Sequence, residues 1–152
     1  MNEQYIVYFI SKTRQSMHQF IEVELKKEGL SDIIPSHGSI LTVLFENKSP
    51  LTMKEIAKRI GKDKSTVTVL INHLLKQGYI EKITSAEDKR VSLIALTSAG
   101  KAIEKKYRDI SKRVVETAYE GFEPNEKELF LKSLKQMNSN FINHSGRKLN
   151  ED

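Results

Sequence analysis

Apolar positions recur at helical spacing from the start of the chain. Ile6, Ile10, Thr13, Met17, Phe20 or Ile21, and Glu24 or Leu25 share one face, with Lys, Arg and Glu between them. This predicts a long helix from Glu3 to Lys27 that Gly29 stops. Ile33-Ile34-Pro35 reads as a short connection, and Ser36 as the N-cap of a second helix through Phe45. Thr52-Met53-Lys54-Glu55 has the capping-box spacing. The helix it opens carries Met53, Ile56, Ala57 and Ile60 on one face and ends at Gly61. After a short turn, Asp63 caps a further helix that runs to Gln77 and stops at Gly78. Val67, Leu70, Ile71 and Leu74 form its apolar face, and Ser65, Thr68, Val69, Asn72 and Lys76 lie opposite.

Two short helices joined by a tight Gly-containing turn make a helix-turn-helix pattern, which many bundles share. The outward face of the second helix sharpens it. An ordinary surface helix displays long Glu and Lys there, whereas this one begins with short polar and β-branched groups that can lie close to base edges. No acid follows Asp63 until Glu81. Two β-prone runs come next, Tyr79–Thr84 and Val91–Leu96, around the charged loop 85–90, as a hairpin would. Helix-turn-helix followed by a hairpin is the winged arrangement, and its tip, Lys89-Arg90, can reach a phosphate or a minor groove. Thr97 then caps a long helix from Ser98 to about Glu120, with Ile103, Tyr107, Ile110 and Val114 at heptad-like spacing. Pro124 opens a last helix with Phe130, Leu134, Met137 and Phe141 in the same pattern. These terminal helices could pack on the middle of the chain or form a helical dimer interface, and periodicity does not separate the two uses.

Charge supports the same division. The net charge is +5, and the 10 basic and 5 acidic residues of positions 51–101 account for all of it. A basic block between nearly neutral flanks is the expected footprint of a polyanion-binding module. Cysteine is absent, which removes disulfides, thiol nucleophiles and thiol redox sensing. No run approaches the roughly 18 apolar residues of a membrane span. The short apolar run Tyr5–Ile10 lacks the basic flank of a signal peptide, so a cytoplasmic location is expected.

Specific motifs carry a family resemblance. Asp88-Lys89-Arg90 followed by a strand ending Leu96-Thr97-Ser98-Ala99-Gly100 resembles the wing signature of the MarR family of regulators. Leu51–Ala57, Asp63–Thr68, Gly78-Tyr79-Ile80 and His37–Leu41 are similar to that family's helix-turn-helix and the helix before it. The resemblance is strong over residues 36–101. It implies a mainly α chain with a small β-hairpin wing, in the α+β class. A winged helix-turn-helix domain would occupy 36–97, and a helical dimerisation domain 1–34 and 98–142. Residues 143–152 would form a frayed tail. The implied function is a transcriptional repressor that grips a pseudo-palindromic DNA operator as a homodimer. Ser65, Thr66, Thr68 and Asn72 would face the major groove, and Arg90, oriented by Asp88, would enter the minor groove. Thr52, Lys62, Lys64, His73 and Lys89 complete the expected DNA contacts. A small aromatic or other organic effector between the dimer helices and the DNA lobe would release DNA, with Met17, His18 and His37 as candidate contacts.

Rival readings find less in the residues. His18, His37, His73 and His144 show no paired metal-ligand spacing, so neither a metal nor a cofactor is expected. No nucleophile elbow, phosphate-binding glycine loop or recognisable acid pair supports an enzyme. A winged helix that binds protein rather than DNA is the remaining alternative, and salt-dependent duplex binding separates the two.

Overall fold

The computed structural model describes residues 5–47 and 49–144. The chain divides into two compact units, Met1–Val114 and Val115–Asp152. The first holds α1 (Ile6–Lys27), a 3-10 turn (Pro35–His37), α2 (Gly38–Glu46), β1 (Leu51–Thr52), α3 (Met53–Ile60) and α4 (Lys64–Lys76). It continues with β2 (Ile80–Thr84), β3 (Ser92–Leu96), α5 (Ser98–Ala102) and most of α6 (Glu104–Ala118). The second unit contains the end of α6 and all of α7 (Pro124–His144). The expected α class with a small antiparallel hairpin is therefore the observed one.

One apolar cluster unites the first unit. Leu25 at the end of α1, Ile40 and Leu41 of α2, Ile56 of α3 and Ile94 of β3 join the whole inner face of α4. Val67, Leu70, Ile71 and Leu74 are all buried there, each stabilising the fold by about 1.5–3 kcal/mol relative to exposure. Ile103 and Ile110 are also buried, with Tyr107 and Val114 packed against the same cluster. The heptad-like face of this segment thus serves its own chain's core. α7 differs: none of its side chains is buried.

Four local expectations need correction. Ser36 does not cap α2; Pro35 starts a 3-10 turn that places Ser36 inside it, and the Ile34 amide donates to His37 Nδ1 instead. The hairpin is part of a three-stranded sheet of order β1-β3-β2, because Leu51 and Thr52 pair with Ile94 and Leu93. The long helix after Thr97 is interrupted: Ile103, at φ −87°, ψ −7° and buried in the core, is a turn residue between α5 and α6. Asn143 and His144, expected in a frayed tail, close α7; the remainder of that segment, 145–152, lies outside the described residues, as does Glu3.

Polar groups join the elements of the first unit. Glu24 is buried at the end of α1, with Lys27 Nζ at 2.6 Å and Arg113 Nε at 2.5 Å. Those hydrogen bonds, Lys27's first, hold its carboxyl below the usual range. Arg113 also reaches Glu28 at 3.1 Å, so α6 is tied to the last turn of α1. Thr97 does similar work beside the wing. Its hydroxyl donates to the Gly78 carbonyl at 2.6 Å and accepts from the Gly100 amide at 3.1 Å. Gly100 is pressed so near β2 that a Cβ there would lie 2.0 Å from the Tyr79 carbonyl oxygen.

His37 is the buried titratable group closest to α4, with 1% of its surface exposed and its ring edge-on to His73 at 5.9 Å. Because Nδ1 accepts the Ile34 amide, the neutral ring carries its proton on Nε2, which has no hydrogen-bond partner among the described residues. Burial, followed by the neighbouring His73, lowers its pKa below the ordinary 6.5. Close by, Tyr79 donates to Asp32 at 3.0 Å, and burial together with that bond pushes its hydroxyl pKa up to about 12.

Two expectations follow from this packing. Gly100→Ala forces the α5–β2 contact apart and lowers the unfolding free energy by about 1–3 kcal/mol, read as a lower urea midpoint at fixed protein concentration. An unchanged midpoint would show that the contact yields freely. For His37 the unfolded chain binds the proton more readily, so stability rises with pH between the native and unfolded values. Its contribution is complete above about pH 6.5 and is lost as the pH falls below it. Melting curves between about pH 7.5 and 5.5 should fall less steeply for His37→Gln than for the wild type; equal slopes would refute the assignment.

Candidate nucleic-acid interface

α3, the turn at residues 61–63 and α4 form the helix-turn-helix, and each boundary has a local cause. Thr52 Oγ1 accepts the Glu55 amide while Glu55 accepts the Thr52 amide at 2.7 Å, completing the capping box. Gly61 ends α3 at φ +63°, a left-handed conformation that costs glycine little. Asp63 then caps α4, its Oδ1 accepting the Thr66 amide at 2.9 Å. Burial of Val67, Leu70, Ile71 and Leu74 turns the other side of α4 outward.

That outward side presents Lys64, Ser65, Val69, Asn72, His73 and Lys76, all exposed, with no acid anywhere in α4. Lys62 is exposed in the preceding turn. Asn72 is free to use its amide as a paired donor and acceptor. The hydroxyls are more constrained. Ser65 donates to Asp63 Oδ1, and Thr66 donates to Asp63 Oδ2 at 2.8 Å. Thr68 donates to the Lys64 carbonyl at 2.7 Å and is half-buried. Thr52 donates to Glu55 at 2.8 Å. The Ser65 hydroxyl first, then the Thr66 amide and the Thr66 hydroxyl, hold the Asp63 carboxyl far below the usual carboxylate range. The Thr66 amide bond is the cap that the sequence predicts for Asp63, and the two hydroxyl bonds add to it.

β2 and β3 pair from Ile80↔Leu96 to Thr84↔Ser92, and the loop between them carries Asp88, Lys89 and Arg90. Arg90 is bonded along the Nε–Nη2 edge of its guanidinium, which leaves Nη1 open. Its amide and Nε donate to Asp88 Oδ1 at 2.9 and 3.2 Å, and Nη2 donates to Oδ2 at 3.1 Å. The Arg90 side chain nevertheless keeps 90% of its surface exposed. Arg90's hydrogen bonds lower the Asp88 pKa, so the carboxylate stays ionised and keeps the guanidinium aimed. Lys89 is exposed beside it.

The structure separates the three residues expected to meet an effector. Met17 is exposed and His18 half-buried on α1, whereas His37 is sealed against His73 rather than joined to His18. A cleft of about 230 Å³ opens elsewhere in the first unit, lined by Thr42, Phe45, Glu46, Tyr107, Arg108 and Ser111. Tyr107 is fixed at its edge by hydrogen bonds with Thr42 at 3.0 Å and the Gly38 carbonyl at 2.8 Å.

Known proteins share these features. The family model described as "MarR family" matches residues 31–91, from the linker before α2 to the wing. The HTH-type transcriptional repressor YetL of Bacillus subtilis is 31% identical over 121 residues, covering 79% of this chain and 71% of its own. Among solved structures, the S. aureus MepR–DNA complex aligns with a TM-score of 0.79 at 22% identity, over 92% of this chain and 99% of that one. PcaV of Streptomyces coelicolor, solved with its natural ligand, aligns with a TM-score of 0.77 at 16% identity, over 89% and 92%. No helix among the described residues is long and apolar enough to cross a membrane. With the wing signature, the helix-turn-helix and these likenesses together, the chain belongs to the MarR family of DNA-binding transcriptional regulators.

Proposed function

We propose that this regulator is a cytoplasmic repressor that binds a pseudo-palindromic operator as a homodimer and is released by a small organic effector. The observation that carries the DNA-binding half is the acid-free outer face of α4 beside a wing arginine that Asp88 holds in place while its surface stays open. In this reading α4 enters the major groove, where Ser65, Thr66 and Asn72 meet base edges. Thr68 and Thr52, with hydroxyl protons already donated within the chain, contribute methyl contacts at its margin. Lys62, Lys64, His73 and Lys89 approach phosphates, and Arg90 enters the narrow, electronegative minor groove.

Support for a dimer comes from the apolar surface left on the terminal helices. Tyr5, Val7, Tyr8 and Phe9 of the first helical turns, and Leu129, Phe130 and Phe141 of α7, are exposed. Side chains of this size and number mark a contact surface rather than a solvated one. The assignment of 1–34 and 98–142 to dimerisation rests on that surface, with the qualification that the α6 face is consumed by its own core. The effector is supported by PcaV having been solved with its natural ligand and by the cleft, whose Phe45 and Tyr107 rings suit a small aromatic compound. At about 230 Å³ it takes a compound smaller than an ordinary drug-sized ligand. Met17 and His18 offer accessible side chains on α1 to such a compound, while His37 offers none. The repressor role is supported by the name of YetL.

Anisotropy titrations on operator and scrambled duplex at two salt concentrations test the interface. Arg90→Ala should weaken both duplexes and reduce the slope of log affinity against log salt by about one. Asn72→Ala should cost on the order of 1–3 kcal/mol on the operator and less on scrambled DNA. An Arg90→Ala protein with intact non-specific affinity would show that the hairpin is not a DNA-gripping wing. Sedimentation at micromolar concentration should give a species of twice 17.4 kDa, and Phe9→Glu with Phe130→Glu should shift it toward the monomer. A wild-type protein that sediments only at 17.4 kDa would remove the dimer.

A further inference from the structure

The first turn of α4 contains a hydrogen-bond arrangement that helix capping alone does not require. A cap needs one carboxylate oxygen to accept one backbone amide, which Asp63 Oδ1 does for Thr66 at 2.9 Å. Both oxygens are used further: Oδ1 takes the Ser65 hydroxyl proton, and Oδ2 takes that of Thr66 at 2.8 Å. An ionised carboxylate can only accept, so the direction of both bonds is fixed. Each hydroxyl has one proton, and each has now been given inward. What Ser65, exposed, and Thr66, half-buried, retain for an outside partner is lone pairs.

We propose that Asp63 sets the hydrogen-bond polarity of the recognition helix, making Ser65 and Thr66 obligate acceptors that read the exocyclic amines of adenine or cytosine. This rests on the reading of α4 as the helix that enters the major groove. In that groove adenine N6 and cytosine N4 are the donors, while guanine O6 and N7, thymine O4 and adenine N7 accept. An acceptor-only hydroxyl distinguishes amine-bearing from carbonyl-bearing bases on the strand it touches. It also turns away from phosphate oxygens, which offer no proton. Asp63 is therefore a positioning residue: it touches no base, and it acts through the two side chains that do. Its depressed pKa keeps this polarity intact down to acidic pH.

Asp63→Asn isolates the effect, because asparagine caps a helix as well as aspartate does. With the amide oxygen capping Thr66 N–H and receiving Ser65, the amide nitrogen occupies the place of Oδ2. It donates to Thr66 Oγ1 and frees that hydroxyl's proton to point outward, while Ser65 is unaffected. The experiment is selection of randomised duplexes by the full-length wild type, Asp63→Asn and Thr66→Val, with melting curves to confirm folding. Thr66→Val identifies the base that Thr66 reads, as the position whose preference disappears. At that position the wild type should favour adenine or cytosine by roughly three- to tenfold, the value of one hydrogen bond. Asp63→Asn should admit guanine and thymine there, erasing the preference for amine-bearing bases, and leave the other positions alone. Loss of the carboxylate charge raises affinity for all duplexes and so does not alter the ratio that is read.

The inference is overturned if the wild type prefers a carbonyl-bearing base at the mapped position. It is equally overturned if Asp63→Asn keeps the amine preference in full, or if Thr66→Val changes no position. Recovery of no enriched sequence by the wild type is a different failure, since it removes the DNA-reading function itself and the inference with it.

Discussion

Val67, Leu70, Ile71 and Leu74 are sealed beneath α4, and the orientation of every other side chain on that helix follows from their burial. A helix that sinks an i, i+3, i+4, i+7 face into a close-packed core cannot roll without exposing several apolar side chains at about 1.5–3 kcal/mol each. Its outer face is therefore held at a fixed angle. α3 and the strands complete the seat, through Ile56, Ile80 and Ile94. DNA reading requires this rigidity, because a base-edge hydrogen bond tolerates only a few tenths of an ångström of misplacement.

Polar bonds refine what the core establishes. The junction after α4 is tied by Thr97, which bonds the Gly78 carbonyl and caps α5 with one hydroxyl, so wing and helix share an anchor. On the other side, Asp32 receives the Tyr79 hydroxyl and the Gln77 amide, linking the segment after α1 to the end of α4. The Glu24–Arg113 pair links α1 to α6 in the same unit. Elements outside the helix-turn-helix thus reach α4 through a few directional contacts.

The polar side chains of this surface, exposed or half-buried, divide into those already committed within the chain and those still available. Thr52, Thr68 and the hydroxyl protons of Ser65 and Thr66 are spent on caps and backbone carbonyls. Asn72 and Nη1 of Arg90 are not. A list of polar residues on a helix face does not show this division, yet it decides which groups can donate to DNA and which can only accept.

The helix-turn-helix was legible in the amino-acid sequence because its determinants are local. Capping boxes, a left-handed glycine and the alternation of faces act within four residues, and Thr52–Glu55, Gly61, Asp63 and the α4 stripe were all read correctly. The hairpin and the wing signature were legible for the same reason. Tertiary structure decided what depends on distant partners. Leu51 and Thr52 became a third strand because β3, some forty residues away, left an edge open. Ile103, buried in the core, interrupts a helix that its own periodicity favours. His37 went to His73 rather than His18, since which of several apolar seams closes around a ring is settled by packing. Periodicity shows that a face is apolar, and only the assembled core shows which surface covers it: the α6 face found its own chain, while α7 keeps its own exposed.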